Sequence, residues 1–287
     1  MIIVTGATGQ LGARTVDRLL TRVPAARIGV SVRDPRKASH LADRGVRVRQ
    51  GDFGSPETLA HAFEGAEQVL VVSAMTIGPE ARVMHAAAID AARDAGARRV
   101  LYTSHQGVSD TSRFAPMPDH AAAERRLAAS GTAHTSLRNG FYASTVPGLV
   151  ASALRTGKLV APHDGPVSWT AHDDLAEAAA VILAEEGRFD GPTPPLTGPQ
   201  ALDLDDVAAL LTKLTGRTVE RVTVPEEEYV AALREDGVPE AVAQLTLGMF
   251  RAFGDGDFDT VTDDLSTLIG RPATPLRTLL ETVVAAQ

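Results

Sequence analysis

The segment Thr5-Gly6-Ala7-Thr8-Gly9-Gln10-Leu11-Gly12 decides the fold of this chain. It follows an apolar run at 2–5 and precedes a helical repeat of apolar residues at 11–20. Its three glycines fit three needs: a tight turn, close approach of the backbone to a pyrophosphate, and close packing of helix on strand. A glycine triplet alone is a weak indication, but between a strand and a helix it predicts a dinucleotide-binding loop.

The helix after this loop begins with backbone N–H groups that have no partner inside the helix, and its dipole is positive at that end. Both features favour phosphate groups. We therefore predict that the loop binds the cofactor through Gly6, Thr8, Gly9, Gln10 and Leu11.

The end of the second predicted strand, 28–32, indicates which dinucleotide is bound. An acidic residue at this point favours the ribose hydroxyls of NAD, whereas Arg33 suits the 2′-phosphate of NADP because a guanidinium binds phosphate in bidentate fashion. Lys37 adds positive charge nearby. Asp34 argues mildly against this reading, although it also fits as the N-cap of the next helix. The pattern favours NADP(H) over NAD(H).

The first half of the chain alternates short apolar runs with helical patterns, as a doubly wound parallel sheet requires. Six strands are predicted, at 2–5, 28–32, 46–50, 69–73, 99–104 and 133–138. After Asn139 the rhythm changes, with a predicted strand at 167–170 and a helix capped by Asp173 or Asp174. We predict an α/β, Rossmann-type NADP-binding domain at 1–140, onto which 167–187 packs, and a smaller C-terminal α+β substrate lobe made of 141–166 and 188–287.

Ligands of such sheets bind beyond the carboxyl ends of the strands. Residues at those ends are therefore further candidates for the cofactor site: Asp52, Phe53, Ser73, Ser104 and Asn139. Asp52 stands where the adenine is expected and offers an acceptor for its amino group; an equally simple interpretation is that Asp52 is a turn residue.

The composition excludes several classes of protein. The 287 residues include 28 basic and 36 acidic ones, for a net charge of −8 without a long basic run, which argues against a nucleic-acid partner. Cysteine is absent, so disulfides and thiolate catalysis are excluded, and we predict no metal site. Strand-like residues begin at Ile2, and no apolar run reaches the roughly 18 residues of a membrane span. We therefore expect no signal peptide, no membrane association, and a soluble, cytoplasmic protein.

The usual acid of short-chain dehydrogenases is missing. These enzymes use a Tyr-x-x-x-Lys pair, and none of the three tyrosines has a lysine four residues later: Gln106 follows Tyr102, Val146 follows Tyr142, and Leu233 follows Tyr229. Hydride transfer must proceed without the pair, or the protein catalyses nothing.

Several segments resemble the NmrA-like branch of atypical short-chain dehydrogenases, and within it the NADPH-dependent quinone oxidoreductases of type 2. Those segments are the glycine loop, Val32-Arg33-Asp34-Pro35, Tyr102-Thr103-Ser104, Leu137-Arg138-Asn139-Gly140-Phe141-Tyr142, Leu196-Thr197-Gly198, Leu214-Thr215-Gly216-Arg217, Pro225-Glu226-Glu227-Glu228-Tyr229 and Leu268-Ile269-Gly270-Arg271-Pro272. The resemblance covers nearly the whole chain. It implies a Rossmann domain with a small lobe and a cofactor cleft between them, in a family that includes quinone reductases, isoflavone-type reductases and non-catalytic redox sensors.

The resemblance also suggests a catalytic residue. Isoflavone-reductase-like relatives carry a lysine at the start of the helix before the sixth strand, and the matching position here is His120. An imidazole with a pKa near 6.5 can donate a proton at neutral pH, so the rate would fall as pH rises through that value. Glu124, one turn later, could orient it. The alternative for His120 is an ordinary helix-terminal residue. His105 is a weaker candidate, and a solvated loop histidine is its alternative.

Aromatic residues make up only 4% of the chain, yet Phe141, Tyr142 and the sole tryptophan, Trp169, follow the sixth strand. They could form an apolar wall for a flat substrate, with core packing as the alternative. A quinone suits a site without the tyrosine acid, because hydride addition leaves a phenolate comparable to ionised tyrosine, of pKa about 10, rather than a strongly basic alkoxide.

We therefore expect an NADPH-dependent quinone or carbonyl oxidoreductase with a small-molecule substrate, as a monomer or homodimer. The alternative is an NADP-binding redox sensor without turnover. A nucleotide-sugar epimerase or dehydratase is weakened, since those relatives normally keep the tyrosine and lysine.

Overall fold

The computed structural model describes residues 1–286 and centres on a parallel seven-stranded sheet. The strands are β1 Ile2–Thr5, β2 Ile28–Val32, β3 Arg47–Gln50, β4 Gln68–Val71, β5 Arg99–His105, β6 Ala133–Asn139 and β8 Gly191–Pro192; β7 Lys158–Ala161 and β9 Glu220–Thr223 form a separate parallel pair. The order in the large sheet is β3-β2-β1-β4-β5-β6-β8, so the predicted Rossmann-type sheet is confirmed, with its switch point between β1 and β4.

Among residues 1–286, twelve α-helices cover the sheet and build the lobe. They are α1 Gln10–Leu19, α2 Ser39–Ala42, α3 Glu57–Phe63, α4 Pro79–Asp94, α5 Pro116–Ala128, α6 Val146–Thr156, α7 His172–Ala184, α8 Leu204–Thr215, α9 Glu226–Glu235, α10 Glu240–Gly254, α11 Asp264–Ile269 and α12 Leu276–Ala285. Among residues 1–286, each helix is too short or too polar to cross a lipid bilayer.

Both faces of the large sheet are buried, because successive side chains of a strand point to opposite sides. In β1, Ile2 and Val4 pack against α1 and α7, whereas Ile3 packs on the other face, in the same cluster as residues of α3, α4 and α5. The carboxyl edge of the sheet is thereby held between two rigid helical layers, which fixes the positions of the residues that follow each strand.

A third cluster forms the core of the C-terminal lobe. Its centre is a group of aromatic rings packed edge to face, with centroids 4.9 to 5.8 Å apart among Phe141, Trp169, Phe250, Phe253 and Phe258. Such geometry matches the electron-poor edge of one ring to the electron-rich face of the next. This core places the segment after β6 against the carboxyl edge of the sheet.

The structure departs from the predicted elements at three places. The expected strand 167–170 makes only single bridges, from Val167 to Leu202 and from Thr170 to Tyr142, because it lies between the lobe core and the sheet and not in a ladder. The cap of α7 is the backbone of Ala171, while Asp174 accepts hydrogen bonds from Arg271 and Thr274. The connector after α7 contributes β8, which the sequence analysis does not anticipate.

Candidate functional site

The loop between β1 and α1 gives each glycine a distinct position. Gly6 has a φ of +60°, which favours glycine, and its N–H donates to Ser31 O over 3.2 Å. A Cβ on Gly12 would lie 2.4 Å from Gly6 O, so helix and loop pack too closely there for a side chain. A Cβ on Gly9 would meet only Gly6 O, at 3.3 Å, because its outer side is open.

The beginning of α1 provides an anion site. Gly9 is its N-cap, no side chain caps it, and its first turn carries no acidic residue. In the part of the chain that the structure describes, the N–H groups of Gln10 and Leu11 have no acceptor. Free donors and a positive dipole end, next to the open side of Gly9, fit the pyrophosphate of a dinucleotide.

The end of β2 fits an additional phosphate. Arg33 is exposed, and its guanidinium has no hydrogen bond or ion pair with any of residues 1–286. Asp34 is neutralised locally: it accepts two hydrogen bonds of 2.9 Å from the Arg36 guanidinium and one of 3.1 Å from its backbone N–H, so its pKa is lowered by Arg36. The acidic residue that argued against NADP therefore leaves Arg33 free.

The candidates at the other strand ends differ in what they can reach. Asp52 Oδ1 accepts from the N–H of Gly54 over 3.0 Å, as a turn residue does, and Phe53 packs on the core beside α3. Ser73 Oγ accepts from Thr103 Oγ1 over 3.1 Å.

Two further candidates are buried. Ser104 donates to Glu124 over 2.7 Å, so its hydroxyl can only accept a hydrogen bond from a ligand, and its contact with the cofactor stays a prediction. Asn139 is also buried, and its Nδ2 lies 3.4 Å from the hydroxyl oxygen of Tyr142.

A chain of three polar side chains crosses from α4 through β5 to α5. The hydroxyl of Tyr102 lies 2.9 Å from Nδ1 of His120 and 3.3 Å from Nδ1 of His85. Nε2 of His85 accepts from the backbone N–H of Ala74 over 3.0 Å. Sequence reasoning found His120 but missed His85 and Tyr102, since their meeting depends on the packing of helices against the sheet.

Burial keeps these groups neutral. It lowers the pKa of His120 to about 3, with His85 contributing, and the pKa of His85 to about 4. Burial also raises the pKa of Tyr102 well above its usual value. The expectation that His120 titrates near pH 6.5 is therefore corrected: at neutral pH it is an uncharged imidazole.

Glu124 does not orient His120. Its carboxylate accepts from Ser104 Oγ and from the Arg138 guanidinium, the latter over 2.8 and 3.1 Å. Residues 116–128 are helical, so His120 lies one turn inside α5 and its side chain meets Tyr102 of β5, while Glu124 meets Ser104 of β5 and Arg138 of β6. The side chain that can orient His120 is therefore Tyr102, and not Glu124 as expected.

Further rings complete the carboxyl edge of the sheet. His105 has its ring centroid 6.2 Å from His120 and 6.0 Å from Tyr142, and the centroid of Tyr142 lies 4.5 Å from that of His172. Tyr142 is partly exposed, whereas Phe141 is 3% exposed and Trp169 is 1% exposed.

The indole N–H of Trp169 donates to Leu202 O over 2.9 Å. The expectation that Trp169 lines a substrate wall is therefore corrected, because its ring is in the lobe core. Phe141 lies in the same core, whereas Tyr142 packs against the cluster that includes α1 and α7.

Comparison with known proteins shows which proteins the chain resembles. Residues 1–282 match the NmrA-like family. The chain is 37% identical over 277 residues to quinone oxidoreductase 2 of Escherichia coli strain K12, with 96% of each chain covered. It superposes with a TM-score of 0.92 on an NADPH-dependent quinone oxidoreductase of Escherichia coli complexed with NADPH, at 34% identity over 100% and 99% of the two chains. For the triphenylmethane reductase of Citrobacter sp. complexed with NADP(H), the TM-score is 0.91, with 36% identity and full coverage of both chains.

Proposed function

The chain belongs to the NmrA-like family, and we propose that it is an oxidoreductase that uses NADPH to reduce a quinone or a similarly flat carbonyl compound. Its relatives with 34 to 37% identity include a quinone oxidoreductase and a triphenylmethane reductase, whose names indicate acceptors built on six-membered carbon rings. The observation that carries the proposal is that the neutral imidazole of His120 and the partly exposed ring of Tyr142 lie 6.2 and 6.0 Å from the ring of His105, at the edge where such sheets bind ligands.

In this proposal the two parts of the cleft have separate tasks. The backbone of Gly6, Thr8, Gly9, Gln10 and Leu11 holds the pyrophosphate, and Arg33 holds the 2′-phosphate. Asp52 and Phe53 border the adenine, and Ser73 and Asn139 border the ribose and nicotinamide. The lobe of 141–166 and 188–287 closes the acceptor side through Tyr142, and Phe141 packs in the core of that lobe.

NADPH, when bound, supplies the hydride. The acceptor gains two electrons and one hydrogen, and a quinone becomes the hydroquinone monoanion, which then takes one proton from solvent. Because this anion is a phenolate of pKa about 10, it needs a hydrogen bond more than an obligatory acid. His120 can give that hydrogen bond without changing its charge, and Tyr142 holds the flat acceptor in place.

Purified protein tests the proposal directly. NADPH oxidation is followed at 340 nm under single-turnover conditions against a panel of benzoquinones and naphthoquinones. We expect acceptor-dependent decay, faster with NADPH than with NADH at equal subsaturating concentration. A parent protein that binds NADPH but shows no acceptor-dependent decay with any member of the panel would refute the enzyme.

The missing Tyr-x-x-x-Lys pair supports one second candidate, an NADP-binding redox sensor. A sensor responds only if the oxidised and reduced cofactors differ in their effect on a partner. Its signature in the same experiment is tight NADPH binding without turnover, and NADP⁺ and NADPH would then be compared for their effect on partner binding.

A further inference from the structure

We propose that Tyr102 and His85 act as positioning residues that fix His120 in the tautomer with its proton on Nε2, so that His120 acts as an uncharged hydrogen-bond donor and not as an acid. The inference deepens the proposed function and rests on it only for the identity of the acceptor. The placement of the proton follows from hydrogen bonds within the protein.

The backbone N–H of Ala74 can only donate a hydrogen bond. The backbone N–H of Ala74 donates to Nε2 of His85 over 3.0 Å, so that nitrogen carries no proton. A neutral imidazole must then carry its proton on Nδ1, which lies 3.3 Å from the Tyr102 hydroxyl oxygen. His85 therefore donates to Tyr102.

The hydroxyl of Tyr102 has one hydrogen, and His85 already donates to its oxygen. That hydrogen is directed to Nδ1 of His120, 2.9 Å away. Nδ1 of His120 is thereby an acceptor, and the proton of the neutral ring resides on Nε2. Within residues 1–286, Nε2 of His120 has no hydrogen-bond partner. The fully buried side-chain atoms without a partner belong to Ser31, Gln68, Arg99, Ser136 and Arg221, so Nε2 of His120 is accessible. Its N–H is therefore open to a ligand.

Neighbouring groups do not disturb this state. Asp119, the nearest carboxylate on α5, is engaged by Arg82 at 2.7 Å and by the N–H of Gly78 at 2.6 Å. The other titratable groups around the three rings are His105 on β5, Glu124 on α5 and Tyr142 after β6. Glu124 is satisfied by Ser104 and Arg138.

Histidine NMR tests the tautomer without any turnover. Protein labelled with ¹⁵N-histidine and free of cofactor is studied by long-range ¹H–¹⁵N correlation between pH 5.5 and 8.5, and His120 is assigned by its loss in His120→Gln. We expect the pattern of a neutral ring protonated on Nε2, constant over this range. In Tyr102→Phe, the unpaired Nδ1 should let both tautomers appear. A His120 that titrates in this range, or a ring protonated on Nδ1, would overturn the inference.

Matched variants separate loss of the fixed His120 tautomer from general damage to the fold. Tyr229→Phe removes a hydroxyl from the lobe and should leave the His120 spectrum unchanged, since Tyr229 packs against Phe250, away from the histidines. If Tyr102→Phe does not fold, His85→Asn breaks the chain one step earlier, and the freed hydroxyl should again allow both tautomers. If the His120 spectrum is unchanged in every folded variant of Tyr102 and His85, these two residues do not fix the tautomer.

Kinetics then test what the fixed proton does. His120→Ala should slow quinone reduction by about ten- to a hundredfold, the loss of one hydrogen bond to a charged oxygen. His120→Gln keeps an N–H donor but no titratable group, so it should retain more activity than His120→Ala, and the parent rate should not follow a histidine titration. Equal loss in both variants would reject the donor role. Absence of turnover in the parent refutes the proposed function but leaves the NMR result intact.

Discussion

The two ends of the proposed cofactor cleft are built in opposite ways. The phosphate end consists of backbone from one continuous segment, 6–12, with the exposed guanidinium of Arg33 beside it. The other end consists of side chains from separate elements, with His85 on α4, Tyr102 on β5 and His120 on α5. The phosphate end is exposed to solvent and carries the charge of Arg33, whereas the end with the histidines, here called the dry end, is largely shielded from water and uncharged. The contrast indicates that charge recognition and hydride chemistry are kept apart in this fold.

Gly9→Val should have the largest effect and should act on the phosphate end alone. The backbone of Gly9 is extended, with φ of −90° and ψ of 172°, which valine adopts readily. The new side chain would occupy the open side where the pyrophosphate must approach. Calorimetric titration should show NADPH affinity reduced by more than about a hundredfold.

Gly12→Ala is the matched control, because it should disturb the packing of the same loop instead of blocking the pyrophosphate. Its Cβ would lie 2.4 Å from Gly6 O and 2.8 Å from Gly6 C, both backbone atoms. The thermal midpoint should therefore fall in Gly12→Ala and change little in Gly9→Val. A folded Gly9→Val that still binds NADPH would place the pyrophosphate elsewhere.

The same contrast explains what could be read from the sequence. Strands β1 and β2 match their predicted bounds, 2–5 and 28–32, because a short apolar run next to a glycine turn is a local signal. The assignments of the glycine loop and of Arg33 to the cofactor rest on local signals as well, and they stay predictions. Family resemblance located His120, but the histidine's partner and pKa depend on helices far away in sequence.

The predictions that proved wrong concern side chains whose partners are distant in sequence. Trp169 is rare and follows the sixth strand, yet the lobe core buries it. Glu124 is one turn from His120, but its carboxylate binds Ser104 and Arg138, whereas His120 binds Tyr102. Helical spacing tells which residues are neighbours on one helix and not which side chains of the sheet each of them meets. No pattern in the sequence indicates His85, because its role arises from one backbone N–H of the loop after β4.

Arg33→Ala should have the next largest effect and sharpens the specificity of the phosphate end. Loss of a charge-assisted hydrogen bond costs about 1.5–3 kcal/mol, or roughly ten- to a hundredfold in affinity. Calorimetry should show that loss for NADPH and almost none for NADH. Arg44→Ala removes the same charge from an exposed pair with Asp17 and should change neither. Equal weakening for both cofactors would reject the role of Arg33.

The dry end predicts that the cofactor-free protein loses stability in mild acid. Burial lowers the pKa of His85 and His172 to about 4 and that of His120 to about 3, so below pH 6.5 the unfolded chain binds more protons than the folded one. Stability is therefore full above pH 7 and falls as pH decreases toward 4. One such histidine costs about 2 kcal/mol at pH 5.

Urea unfolding at pH 7 and pH 5 measures that loss. His172→Gln removes one of these groups outside the His120 cluster and should reduce the difference between the two pH values by about 2 kcal/mol. Equal unfolding free energies of the parent at pH 7 and pH 5 would show that the dry end is hydrated.

Tyr142 should give the smallest effect, because it lies on the boundary between the dry end and solvent. It is partly exposed, its ring packs 4.5 Å from His172 and 6.0 Å from His105, and its hydroxyl contacts Asn139. Stacking on an aromatic ring contributes about 0.5–1.5 kcal/mol, so Tyr142→Ala should raise the KM for a quinone about two- to tenfold and the KM for NADPH less. Tyr142→Phe keeps the ring and should restore the quinone KM. If the KM for NADPH rises more than the KM for the quinone, Tyr142 belongs to the cofactor side of the cleft and not to the acceptor side.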